Sequence, residues 1–179
     1  MPVITELNLY PIKSCAGWSL KEATLTEAGL ATQLVYDREW MVIDADGVAL
    51  TQRTHPKMAL IVPRIKGDVL EIKAPGMLTL EVPLDLPDPE HTPRLTVVVW
   101  GNEILAFDLG ALCATWFSKF LDTPVRFVRF HSEATRYAKA QWTGEVQAPT
   151  LFADGYPLLV ISQAALDDLN QKMRAAGRE

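Results

Sequence analysis

Three side chains near the start of the chain have the types needed to hold an anion. The stretch "LYPIKSCAGWSL" sets Lys13 and Ser14 between a hydrophobic run and a glycine turn, and "YDREWMVID" puts Arg38 at the head of a second hydrophobic run. Arginine offers a planar fork of donors, lysine a compact charge, and serine a hydroxyl that needs little room. Together they suit a phosphate monoester. The same types also have ordinary uses: a strand-end lysine in water, a serine in a turn, and Arg38 paired with its neighbour Asp37. Cys15 adjoins this group. A thiolate beside a lysine has a lowered pKa and binds soft metals, whereas a small buried cysteine is the plainer reading.

Other chemistries are excluded or left without support. His55, His91 and His131 share no spacing with cysteines or carboxylates that would make a zinc motif. There is no G-x-S-x-G, no Walker loop and no G-x-G-x-x-G, which removes the common hydrolase, kinase and dinucleotide readings. Seventeen Lys+Arg against twenty-two Asp+Glu give a net charge of −5. With the basic residues scattered, a general electrostatic hold on nucleic acid is not expected. No stretch approaches the ~20 apolar residues that span a bilayer, and the first residues do not read as a secretory signal. Two cysteines far apart in sequence suit a reducing compartment, so the expected location is cytoplasmic, without membrane or nucleic-acid partners.

The elements that must position these residues are mostly strands. "VITELNLYPI" alternates and ends at Pro11, and "WMVID" with "ADGVALTQR" reads as a hairpin turning at 44–47. "MALIVPRIK", "VLEIKA" and "MLTLEV" are separated by Gly67-Asp68 and Pro75-Gly76. "LTVVVW" and "EILAF" flank Gly101-Asn102, the tightest hairpin signal in the chain. Between them "PLDLPDPEHTPR" carries four prolines and reads as a surface loop. Asp108 is the expected cap of a helix over "LGALCATWFSKFLD", with Leu109, Leu112, Cys113, Trp116, Phe117, Phe120 and Leu121 on one buried face. "VRFVRF" reads as a strand, "LLVIS" as a short buried run, and Ser162 as the cap of a last helix striped with Ala165, Leu166, Leu169 and Met173. The five tryptophans read as core filling. The fold class expected is α+β and β-dominated, with barrel-like antiparallel sheet and two helices near 108–122 and 162–177.

The ordered set "LYPIKSC", "YDREWMVID", "TQR", "FDLG…ATWFSKFL" and "FADGYPLLVISQAALDDLN" resembles the amino-terminal half of MOSC-type proteins, over about residues 3–171. That family takes in amidoxime-reducing components and the carboxy-terminal part of molybdenum cofactor sulfurases. The resemblance implies a β-barrel domain at 1–125 and the opening segment of the MOSC domain at 126–179. It also implies a molybdopterin-type molybdenum cofactor gripped by Lys13, Ser14 and Arg38. Arg53, in the family's T-x-R position, and Asp154, in a loop the family keeps near the cofactor, join them as candidates; a solvated arginine and a plain Asp-Gly turn are the alternatives. The family's metal-ligating cysteine lies well downstream, so no metal ligand and no catalytic residue is assigned here. The chain then reads as the front part of a longer protein.

By the same resemblance the parent would reduce N-hydroxylated or similar small substrates, with electrons from a partner redox protein. The alternative is a binding or sulfur/cofactor-carrier module without redox chemistry, since some members are tied to pyridoxal-phosphate enzymes.

Overall fold

The computed structural model describes residues 3–32, 35–85 and 87–178. Leu86 of the proline-rich loop and Glu179 lie outside that description.

A four-stranded antiparallel sheet forms the centre, in the order β5 (Trp40–Ile43), β11 (Arg126–Phe130), β10 (Asn102–Asp108), β9 (Arg94–Val99). Three smaller antiparallel sheets surround it: β1 (Leu7–Leu9) with β2 (Trp18–Leu20), β3 (Thr24–Thr26) with β4 (Gly29–Ala31), and β6 (Val62–Lys66), β7 (Val69–Lys73) and β8 (Leu80–Pro83) in series. The result is a half-barrel with two substantial helices, α1 (Gly110–Leu121) and α3 (Gln163–Ala175), and a single turn, α2 (Ala140–Thr143). The β-dominated α+β expectation holds.

Strand β5 shows why "WMVI" is apolar without alternating. Trp40 and Val42 face the larger core, which α1 and β6–β8 share, while Met41 and Ile43 face a second core with Val97, Val99, Ile104, Ala106 and Phe152. Side chains of a strand alternate between faces, so a strand covered on both sides must be apolar at every position. Its neighbour β11 divides the same way, with Phe127 in the first core and Val128 in the second. Helix α1 closes the first core, stacking Phe117 on Phe127 at 4.4 Å between ring centroids.

Several local expectations need correction. The β9–β10 ladder pairs Val99 with Asn102, so the turn residues are Trp100 and Gly101, not Gly101 and Asn102. The six-residue ladder decides this, because the pairing runs unbroken from Arg94 to Val99. Asp108 ends β10 and does not cap α1; Leu109 takes the cap position while the Asp108 carboxylate accepts from the Gly110 N–H at 3.1 Å. Leu112 points to solvent. After Ile43 the predicted hairpin does turn back, the Asp44 N–H donating to the Val48 carbonyl at 3.0 Å and the Leu50 N–H to Val42 at 2.9 Å, but its returning arm is bridge rather than strand and also joins the central sheet, Val48 bridging Val98 in parallel. "LLVIS" is neither strand nor buried: Leu159 and Val160 are 84% and 87% exposed. Trp40 and Trp116 fill core as predicted, but Trp100 and Trp142 are exposed. Ser162 does cap α3, its hydroxyl accepting from the Ala165 N–H at 3.2 Å, yet α3 buries none of its residues.

Candidate functional site

Lys13 and Arg38 meet because their two segments run alongside each other. The β1–β2 pairing ends at Leu9, and from Tyr10 onward the backbone joins residues 38–40 instead. The Arg38 N–H donates to the Tyr10 carbonyl at 2.8 Å, the Trp40 N–H to Pro11 at 2.9 Å, and the Lys13 N–H to Trp40 at 2.8 Å. A third segment is laid against the second when the Phe152 N–H donates to the Arg38 carbonyl at 3.0 Å. Two residues further on, Asp154 reaches Lys13.

Around that meeting point the contacts are dense. The Lys13 ammonium donates to Asp154 Oδ1, and the Trp100 Nε1–H donates to the same oxygen at 3.0 Å. Lys13 and Arg53 both lie over the Trp100 ring, at 5.5 and 5.2 Å from its centroid. Arg38 lies over the Tyr10 ring at 4.4 Å and pairs with Asp37, whose other oxygen accepts from the Tyr10 N–H at 2.7 Å. Gly17 lets this ring lie close: a β-carbon there would stand 2.7 Å from the Tyr10 ring and from the Leu9 carbonyl. The backbone of Ser14 is tied by its carbonyl accepting from Gln52 Nε2 at 2.8 Å.

Arg136 fixes the third segment. Its guanidinium donates to the carbonyls of Leu151 (2.8 Å), Ala153 (2.6 Å) and Asp154 (2.9 Å). Buried, it is a structural clasp that also adds positive charge beneath Asp154. Sequence reading missed it, because a lone arginine in a polar, irregular stretch carries no signal. Trp100 was missed for a different reason: a turn register shifted by one residue left it in a strand.

Burial and charge set the electrostatics. Lys13 has a side chain only 3% exposed, whereas that of Asp154 is 68% exposed. Desolvation lowers the Lys13 pKa; the contact with Asp154 opposes this, and the charges of Arg136 and Arg38 add to it. Burial pushes the Asp154 carboxyl up, but Lys13, the Trp100 N–H and Arg38 together outweigh it, leaving its pKa below the ordinary value. Four cations (Lys13, Arg38, Arg53, Arg136) thus gather with two carboxylates (Asp37, Asp154) in a protein of net charge −5.

Backbone strain points to the same place. Among the described residues four non-glycine positions have positive φ: Ser14 (64°), Arg38 (53°), Trp100 (51°) and Asp122 (54°). Asp122 ends α1, a normal site for that conformation. Arg38 and Trp100 belong to this cluster and Ser14 adjoins it in sequence, and such strain concentrates at ligand clamps.

All five candidates therefore have clear placements. Lys13, Arg38, Arg53 and Asp154 share one cluster, and Ser14 adjoins it in sequence. Arg38 does pair with Asp37, but Lys13 is not a lysine in water. Cys15 is buried and burial pushes its thiol well up; the Cys113 thiol is pushed to about 11, first by burial and then by Asp108. Neither is an activated thiolate. Among the described residues no three His, Cys, Asp or Glu stand together as metal ligands, and no helix is long and apolar enough to cross a membrane. A shallow concavity of about 550 Å³ lies beside α1 between Ala114 and Pro124, and no side chain of the cluster lines it.

Comparison with known proteins gives a consistent picture. Residues 1–124 match the MOSC N-terminal beta barrel domain. The chain is 36% identical to mitochondrial amidoxime reducing component 2 of Bos taurus over 180 residues, covering 95% of this chain and 51% of that protein. It is 33% identical to the Rattus norvegicus protein of the same name, covering 96% and 52%. Against the molybdenum cofactor sulfurase of Bos taurus it is 32% identical, covering 96% of this chain and 20% of that protein. The chain thus spans about half the length of its amidoxime-reducing relatives.

Proposed function

Because this chain belongs to the MOSC N-terminal β-barrel family, we propose that it supplies the phosphate-gripping wall of a molybdenum-cofactor oxidoreductase. Lys13, Arg38 and Ser14 would hold the terminal phosphate of a molybdopterin-type cofactor, with Arg53 at the rim and Asp154 as the contact that phosphate replaces. The single observation that carries this reading is the buried Lys13 ammonium, brought beside Arg38 and covered by one exposed carboxylate. A lysine stripped of water is costly to keep charged, and a protein with no use for the charge would do better with an apolar side chain.

The residues fit one end of the cofactor. Lys13 contributes charge, the Arg38 guanidinium donors, and Ser14 a small hydroxyl, and the low-dielectric setting strengthens each. The metal end is not served by the described residues of this chain, whose thiols are buried. When bound, the cofactor would supply two-electron chemistry at its metal; this chain would orient it and neutralise its phosphate. For the parent protein the reading is reduction of N-hydroxylated small substrates with electrons from a donor protein, in the cytoplasm. The names of the amidoxime-reducing relatives support the reductive chemistry, while those same names place the relatives in mitochondria.

The test uses the full-length protein. Reversing both charges, Lys13→Glu with Arg38→Glu, is expected to strip pterin and molybdenum from the purified product while the fold, followed by circular dichroism, survives. Cofactor retention in that variant sinks the assignment. A second reading is a cofactor carrier without redox chemistry; pterin bound without stoichiometric molybdenum in the unaltered protein would select it.

A further inference from the structure

Resting on that reading, the geometry points to Asp154 as a built-in competitor that lowers the affinity of the Lys13–Arg38 cradle for every incoming anion, so that only a strongly held one such as a phosphate monoester still binds. The Lys13 ammonium is almost wholly covered, and the carboxylate it meets is itself mostly in water. Asp154 is the hydrogen-bond partner of that ammonium among the described residues, so an incoming anion competes with it. Its displacement is physically easy on one side: an exposed carboxylate leaving its partner is resolvated at once. On the other side it is resisted by the Trp100 N–H, which holds the same Oδ1 at 3.0 Å.

That arrangement sets a threshold for binding. A tethered carboxylate acts at high effective concentration, so a free monoanion gains nothing by exchanging one negative charge for another. A phosphate monoester carries nearly two charges and three acceptor oxygens. It engages Lys13 and Arg38 together and wins where acetate or chloride does not. Trp100 is the positioning residue in this scheme. Its strained turn conformation aims the indole at Asp154, between the Lys13 and Arg53 cations. The loop's other anchors, Arg136 on its carbonyls and the Phe152 N–H on Arg38, do not depend on the Asp154 side chain. The carboxylate can therefore swing out without unfolding the segment.

Titration calorimetry on the purified chain with inorganic phosphate and with acetate, near pH ~8 where phosphate is dianionic, tests this. The unaltered chain is expected to bind phosphate and to show little response to acetate. Asp154→Asn should bind both more tightly by a similar factor, on the order of tenfold, which brings acetate into the measurable range. Trp100→Phe, lacking the N–H, should change both affinities by a smaller factor. A merely structural Asp154 would leave both affinities unchanged or weakened on replacement, and that result overturns the proposal. The underlying reading fails separately: if phosphate binding survives Lys13→Met, or the unaltered chain binds no phosphate, the cradle itself is disproved. If Lys13→Met abolishes phosphate binding but Asp154→Asn does not tighten phosphate, the cradle stands and the competitor role falls.

Discussion

A lysine buried to 3% exposure is an expensive way to make one contact with an exposed aspartate, and that imbalance separates function from stability at the level of single residues. Exchanging Lys13 for methionine keeps the length and apolar body of the side chain and removes the desolvated charge. The orphaned partner is Asp154, which water can reach, so no buried charge is left behind. We expect Lys13→Met to leave the thermal midpoint within about 3 °C of the unaltered chain, or above it, while phosphate binding disappears. A loss beyond that would mean that the charge serves the fold. The buried pair Arg129–Glu39 behaves oppositely: Arg129 also donates to the Leu84 and Asp85 carbonyls at 3.0 and 2.7 Å and covers the Trp40 ring, so truncating either partner strands a buried charge. Acid titration gives a second check at this scale. The pKa of Asp154 is lower folded than unfolded, so its contribution is present above the ordinary aspartate range and is lost as pH falls through the folded value. The difference in midpoint between the unaltered chain and Asp154→Asn, at most a few degrees for so exposed a pair, should shrink from neutral pH towards pH ~3. A gap that stays constant would rule out the ionised carboxylate as its source.

The hairpin of β9 and β10 carries the clearest conflict between what an element prefers and what it contains. A two-residue turn with both residues at positive φ favours Asn-Gly, and here Trp100 (51°) and Gly101 (81°) occupy it. A bulky side chain in that conformation costs about 1 kcal/mol or more. Trp100→Asn is therefore expected to raise the thermal midpoint by roughly 2–4 °C, at the expense of the hold on Asp154. A fall of similar size would show that the stacked Lys13 and Arg53 outweigh the turn strain. The β3–β4 turn makes the matching point from the other side of the loop. Gly29 has φ 113°, and a β-carbon there would stand 2.5 Å from the Pro157 carbonyl, so this small hairpin braces the segment that carries Asp154. Elements of this kind were only partly legible in the sequence. The apolar runs, turn dipeptides and helix spacing located most strands and both long helices. The parallel bridge of Ile12 to Trp40 was not legible, because nothing local marks which neighbour a strand leaves and which it joins. Yet that bridge is what brings Lys13 beside Arg38.

On the scale of the whole chain, the core and the cluster form one unit and the last twenty-odd residues another. Residues of the ordered motifs could be recognised by type and order, so Lys13, Arg38, Arg53 and Asp154, which the fold brings together, could be named as candidates from the sequence. Trp100 and Arg136 were invisible, since their roles arise only once distant segments have met. The predicted stripe on the last helix illustrates the limit of periodicity: the spacing is helical and the helix forms, but Leu169 and Met173 stay 53% and 39% exposed. Helix α3 is held by local means, the Ser162 cap and the Lys172–Asp168 and Gln163–Asp167 pairs at 2.7 and 2.9 Å, each contributing a few tenths of a kcal/mol on the helix face. Thirteen residues is about the length at which an isolated helix is marginal in water. Segments that bury little apolar surface open at little cost. The chain ending at Pro157 should accordingly keep the thermal midpoint within about 2 °C and retain its phosphate affinity, while limited proteolysis of the intact chain should cut first between 158 and 162. Leu158 to Ile161 are all exposed there, without strand or helix to protect them. If truncation at Pro157 instead lowers the midpoint by many degrees or abolishes phosphate binding, α3 and the segment before it must pack on the half-barrel in solution, and the division into core and appendage is wrong.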